Sequence, residues 1–216
     1  TQSQFDPVEI TPSFWIVPTW HEPPAAAQQV IRLDPGLAFG TGTHPTTRMC
    51  LRWIAHHGPV GPRVLDYGCG SGILAIGAAK FGAHEIVAVD IDPAAVESSR
   101  LNAEANHAVL TAGLPDLARG EHDLVLANIL ATPLKVLAPL LCSYVAPSGA
   151  LVLAGILERQ ADELKAAYDE LWDEMCLRKY GVKYSEDLPL AWRKSIKDEI
   201  PMVLSEAEPT NFGEEK

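Results

Sequence analysis

The sequence predicts an α/β fold with a mostly parallel sheet and helices on both faces. Three observations carry this. Short apolar runs alternate with helical stretches from Arg63 to Ala154. Three glycines in alternate positions, Gly68, Gly70 and Gly72, stand where the first run turns into a helix. Asp66, Asp90 and Asn128 close three of the runs. Alternation of this kind builds right-handed βαβ units, and ligands of such sheets bind beyond the carboxyl ends of the strands.

Taken in order, residues 1–32 are proline-rich and aromatic and read as an extended lead-in, with Phe14-Trp-Ile-Val17 as a short strand. A glycine/threonine loop over 36–47 runs into a helix opened by Pro45 and continuing to about His57, with Met49, Trp53 and Ile54 on one face. Arg63–Asp66 is a strand, Ile73–Phe81 an apolar helix, and Glu85–Asp90 a second strand. Asp92 caps a helix that starts at Pro93 and reaches about Ala105. His107–Ala112 reads as a weaker strand and Asp123–Asn128 as a clear one. Thr132 is expected to cap a helix from Pro133, bent or broken at Pro139. Gly149–Ala154 is a strand, and Leu157–Trp172 an amphipathic helix with Leu157, Ala161, Leu164, Tyr168 and Leu171 on one face. The catalytic unit thus spans 33–172. Residues 173–216 form an atypical acidic segment with a short strand at Ile200–Leu204 and a disordered last dozen residues.

The chain has 216 residues, 47% of them hydrophobic, enough for one sizeable core. Its net charge of −11 gives no basic face for direct nucleic-acid binding. The charge suits a basic partner such as a lysine-rich protein, and it equally serves plain solubility. Cys50, Cys69, Cys142 and Cys176 form neither a CxxC pair nor a cluster with histidine. Reduced thiols without a metal site, and a cytoplasmic location, fit best. The first twenty residues lack a signal-peptide apolar region, and Leu124–Val145 is too interrupted to span a bilayer.

The glycine loop Asp66-Tyr-Gly-Cys-Gly-Ser-Gly72 brings backbone N–H groups to a helix N-terminus. A dinucleotide loop wants its third glycine at position 73, which is Ile73. An acid at position 66 repels a pyrophosphate and attracts an ammonium. S-adenosylmethionine carries an ammonium, a sulfonium and a ribose but no phosphate, so the spacing favours it over NAD. Asp90 stands 22 residues after Gly68, where an acid accepts hydrogen bonds from ribose hydroxyls. Read blandly, Asp90 is a helix-end acid and the loop a tight turn.

Methyl transfer to an amine needs a free lone pair on nitrogen. A neutral amide oxygen can orient that amine, and Asn128, at the carboxyl end of an apolar strand, is placed to do so. Asn128 can also be a strand-end cap. His44 is a second catalytic candidate if its loop folds over the cofactor; otherwise it caps the helix at Pro45. No other general base suggests itself, so positioning and desolvation carry most of the rate.

At this point the sequence resembles the PrmA family of bacterial methyltransferases, which modify the large-subunit stalk-base ribosomal protein. The matching stretches are 33–47, with its Gly-Leu-Ala-Phe-Gly-Thr-Gly-Thr-His-Pro-Thr-Thr loop, then 64–76, Val89-Asp-Ile-Asp-Pro93 and Ala127-Asn-Ile-Leu-Ala131. The resemblance covers about 13–170. It implies a Rossmann-like, class I, seven-stranded methyltransferase sheet and S-adenosylmethionine as cofactor. It implies that Thr47, Gly68, Asp90 and Asn128 contact the cofactor, with Ile91 of the same motif beside them, and that lysine and amino-terminal nitrogens of the ribosomal protein are methylated. The family's recognition domain lies before residues corresponding to 1–32 here, and residues 173–216 do not follow the family pattern. The alternatives are a related enzyme acting on another protein or a small amine, a cofactor-binding module without turnover, and a nucleotide-dependent oxidoreductase, which the glycine spacing disfavours.

Overall fold

Runs such as Val64-Leu65 and Leu124-Val125-Leu126 have no polar face, so they are stable only where both sides are covered. In the computed structural model, which describes residues 5–34, 42, 44–58, 61–180 and 202–204, they form the centre of a covered parallel sheet. In chain order the elements are β1 (Val8–Thr11), β2 (Phe14–Val17), β3 (Gln29–Arg32), α1 (Pro45–His57), β4 (Arg63–Tyr67), α2 (Ile73–Lys80), β5 (Glu85–Val89) and α3 (Pro93–Ala105). They continue as β6 (Thr111–Gly113), a 3-10 turn (Pro115–Leu117), β7 (His122–Asn128), α4 (Ala131–Val136), α5 (Ala138–Ser143), β8 (Val145–Ala154), α6 (Glu158–Tyr180) and β9 (Met202–Leu204).

The main sheet runs β6-β5-β4-β7-β8-β9, every pair parallel. The chain enters at the centre, works out to one edge, returns beside β4 as β7 and works out to the other. The reversal lies between β4 and β7, and the crevice outside their carboxyl ends is where such sheets hold ligands. Among the described residues the sheet has six strands, one fewer than the resemblance implies, and all are parallel.

Alternation along each strand divides the interior into two layers. Val64, Leu124, Leu126 and Val152 face α1, α2 and α3, whereas Leu65, Val125, Leu151 and Leu153 face α4, α5 and α6. Helix α2 is apolar all round because it is buried all round, from Ile73 to Ala78.

Residues 8–32, set apart by sequence as a lead-in, form a second sheet built into the first layer. Strands β1 and β2 pair antiparallel, β2 and β3 parallel. Phe14, Ile16 and Ile31 are buried there, and Phe14 meets Phe81 edge-on at 5.1 Å. Asn106, just after α3, accepts from Arg32 N at 2.6 Å and donates to Arg32 O at 2.8 Å, behaving as a strand partner for β3.

Several expectations need correction. Helix α1 buries Cys50, Leu51 and Ile54, while Met49 and Trp53 are only partly covered; Trp53 packs against the core and also stacks on His57 at 4.2 Å. The strand expected at His107–Ala112 is only Thr111–Gly113, because His107 leaves α3 with φ +53, a left-handed backbone that no strand accommodates. Thr132 is no cap: α4 begins at Ala131 behind Leu130, held by burial of Ala131 and Leu134. The break near Pro139 falls at Leu137, and Pro139 sits in the first turn of α5, where its missing N–H costs nothing. Strand β8 begins earlier than Gly149: Val145 pairs with His122, and regular pairing resumes at Ala150 beyond a bulge. Helix α6 runs beyond Trp172 to Tyr180; Ala161, Leu164 and Tyr168 are buried as expected, but Leu157 precedes the helix and is exposed. Most of the 36–43 loop and the last dozen residues lie outside the described residues.

Candidate functional site

The carboxyl ends of β4, β5 and β7 bring Asp66, Gly68, Gly70, Gly72, Asp90 and Asn128 to one edge of the sheet, and α1 adds Thr47. After Tyr67 the chain curls over β5: Gly68 N and Cys69 N both donate to Val89 O, at 2.8 and 3.0 Å. Gly68, Gly70 and Gly72 have φ of +78, +53 and +79, a left-handed run that side chains resist. Helix α3 braces the loop from behind. Ser99 Oγ donates to Gly70 O at 3.0 Å, and Asn102 Nδ2 to Ser71 O at 2.8 Å. Sequence reasoning missed these two residues. Their spacing of three on one helix face was the available signal, since a polar pair on an inward face has to find partners.

Two carboxylates meet this loop, and each already holds one backbone donor of the loop or of the helix it opens. Asp66 is 1% exposed beneath the loop and accepts from Ala75 N in the first turn of α2 at 3.1 Å. Burial pushes its carboxyl up from 3.8 to about 7; the Ala75 N–H pulls the other way, and the nearby Asp90 charge adds to the rise. Asp90 accepts from Gly70 N at 2.9 Å with one oxygen and from Asp92 N at 3.0 Å with the other. Next to it, Ile91 is 83% exposed, an apolar side chain with no protein cover.

Asn128 donates from Nδ2 to Thr47 Oγ1 at 3.2 Å, and Thr47 is buried on the first turn of α1. That bond fixes which way the amide points and leaves Oδ1 able to accept. His44 is exposed and acts as the N-cap of α1: its Nδ1 accepts from Thr46 N at 3.3 Å and lies 2.7 Å from Thr46 Oγ1. Only Nε2 of that ring remains for other work.

The donor set suits a cationic nucleoside better than a dinucleotide. A pyrophosphate needs free N–H groups at the helix N-terminus, and here Gly70 N and Ala75 N are taken by the protein's own acids. The missing side chains of Gly68 and Gly72 make room for Ile129 and Ser99, so the loop packs closely on the end of β7 and on α3, and Ile91 offers an exposed apolar platform beside it. No group of three or more His, Cys, Asp or Glu that could hold a metal occurs among the described residues. A hollow of about 470 Å³ opens at the opposite, amino end of the strands. It mixes Arg63 and Arg119 with Glu85 and Glu121 and so selects no charge.

The model of the ribosomal protein L11 methyltransferase (PrmA) family matches residues 1–180. The chain belongs to that family. The ribosomal protein L11 methyltransferase of Polaromonas sp. (strain JS666) is 80% identical over 171 residues, covering 78% of this chain and 57% of that protein. The one from Bordetella parapertussis is 60% identical over 203 residues, covering 85% of this chain and 66% of that protein. The chain therefore spans little more than half the length of several curated relatives it matches. The crystal structure of the ribosomal protein L11 methylase from Lactobacillus delbrueckii subsp. bulgaricus superposes with a TM-score of 0.70 at 35% identity, over 78% of this chain and 89% of that one. A methyltransferase from Pyrococcus furiosus shares the fold at a TM-score of 0.55 and 18% identity. The mostly parallel sheet with helices on both faces is thus the class I methyltransferase fold. No helix among the described residues of this family member is long and apolar enough to cross a membrane.

Proposed function

We propose that this chain is the catalytic domain of an S-adenosylmethionine-dependent protein N-methyltransferase, acting on lysine and amino-terminal nitrogens of the ribosomal protein for which its family is named. One observation carries the reading. At the switch point the glycine loop and the first turn of α2 spend Gly70 N and Ala75 N on Asp90 and Asp66, while a fixed amide at Asn128 stands on the neighbouring strand end.

Gly68, Gly70 and Gly72 would lie against the methionine part of the cofactor, Asp90 would accept from the ribose hydroxyls, and Ile91 would cover the base. Asp66, beneath the loop, would act on the ammonium through the loop it supports. When bound, the cofactor supplies an electrophilic methyl group. Asn128 Oδ1 accepts an N–H of the incoming amine and aims its lone pair. The amine must first lose a proton; for a lysine with an ordinary pKa near 10.4 that costs about 4.6 kcal/mol at pH 7. Ile129 and Leu130, which follow Asn128, would put apolar groups beside the amine and so lower that cost. His44 spends its Nδ1 lone pair on Thr46 N, so the neutral ring carries its hydrogen on Nε2, and His44 could take the amine's proton only by releasing the cap of α1. The chain's net charge of −11 steers a lysine-rich acceptor toward it, and a ribosomal acceptor places the reaction in the cytoplasm.

Calorimetry with S-adenosylmethionine and with NADH, followed by transfer of a labelled methyl group, tests this. Binding of the methyl donor and label on the ribosomal protein are expected. Heat with NADH alone overturns the cofactor assignment. Label on small amines but not on the ribosomal protein replaces the acceptor, and cofactor binding without transfer to any amine leaves a binding module.

A further inference from the structure

Strands β7 and β8 end abreast, with Asn128 opposite Ala154 in register. The next residue on each strand, Ile129 and Gly155, then meet face to face. Gly155 has φ +86, and a Cβ there would stand 2.5 Å from Ile129 O, 2.9 Å from its carbonyl carbon and 3.0 Å from its N. The neighbours are therefore all backbone atoms of Ile129, which cannot swing aside as a side-chain tip can. On its other side Ile129 reaches the cofactor loop: a Cβ on Gly68 would be driven into Ile129 Cγ2. Ile129 is thus held between two left-handed glycines, one under its backbone and one under its side chain.

We infer that Gly155 is a positioning residue: the absence of a side chain there, with Ile129 spanning to Gly68, sets the height of the Asn128 amide relative to the methyl-donor loop. The inference rests on the reading of Asn128 as the group that orients the acceptor. Magnitudes support it. Relieving a 2.5 Å contact needs a shift of about half an ångström or more, toward the ~3.5 Å at which carbon and oxygen pack comfortably. The Asn128–Thr47 bond, at 3.2 Å, has only about 0.3 Å before it passes the outer limit of hydrogen bonding. A methyl group at 155 therefore costs the amide its anchor.

The test reads the amide directly. The side-chain NH2 resonances of Asn128 are assigned by their loss in Asn128→Ala. In Gly155→Ala they are expected to move to the position they take in Thr47→Val, with the rest of the spectrum native. Methyl transfer should slow by about 10- to 100-fold while cofactor affinity stays within about twofold, and Gly155→Ala should cost nothing further on top of Asn128→Ala. Resonances that stay at the wild-type position, or rate losses that multiply in the double variant, overturn the inference. If Gly155→Ala does not fold, Ile129→Ala removes the contact over Gly68 without adding an atom. It should move the same resonances the same way, and unmoved resonances overturn the clamp. A wild-type chain that methylates no amine removes the functional reading, and the resonance shift then still decides whether Gly155 holds Asn128.

Discussion

Asn128 Nδ2 and Thr47 Oγ1 lie 3.2 Å apart, though 81 residues separate them along the chain. The bond ties the end of β7 to the first turn of α1, so the helix that follows the glycine/threonine loop orients the amide. Thr47→Val keeps the shape and removes the acceptor. It should lower kcat by roughly 10-fold or more through misorientation, and Asn128→Ala by about 100-fold, with smaller changes in cofactor affinity in both. Steady-state kinetics with calorimetric cofactor titration checks this; equal losses in both quantities would make Asn128 a cofactor ligand only.

Asp90 holds Gly70 N with one oxygen and Asp92 N with the other, and each carboxylate oxygen can still accept a second hydrogen bond. Asp90→Ala removes both the brace and the ribose acceptor. Cofactor affinity is expected to fall by about 1.5–3 kcal/mol, the worth of a charged hydrogen bond. Isothermal titration measures it, and an unchanged dissociation constant takes Asp90 out of the site.

Asp66 makes the stability of the domain depend on pH in an unusual direction. Its carboxyl titrates near 7 when folded and near 3.8 when free. Between those values the folded chain holds a proton that the unfolded chain has lost, so stability from this group is full below about pH 4 and fades as pH rises through 7. Asp66→Asn keeps the acceptor for Ala75 N and removes the titration. Relative to that variant, the wild type should lose melting temperature from pH 5 to pH 8. Parallel curves for the two proteins would place the burial penalty elsewhere.

Asn106 secures the small sheet to the domain through both polar groups of the Arg32 backbone. Asn106→Ala leaves a donor and an acceptor without partners, which costs about 2–3 kcal/mol. Urea unfolding should show that loss with cofactor affinity unaltered. A change below about 0.5 kcal/mol would mean that water replaces both bonds.

Much of this could be read in the sequence because local chemistry is written locally. The bounds of α1 and α3 follow from Pro45 and from Asp92-Pro93, since caps and proline act on their own turn. The glycine loop and the strand-end acids were legible for the same reason: a backbone that must go left-handed demands glycine at that spot. Thr132 misled because a good capping residue was outcompeted by burial of Ala131, a tertiary effect. The lead-in misled because its strands are short and partner one another and α3 rather than the main sheet.

The sequence alone therefore determined the alternation, the central loop and the set of polar residues at strand ends, because periodicity, capping and φ preferences act over a few residues. Only the tertiary structure decided that Asp66 lies beneath the loop, that Ser99 and Asn102 brace it, that Thr47 turns the Asn128 amide, and that Gly155 closes on Ile129. Those relations join strands and helices distant along the chain, and only close packing selects which side chains share a boundary.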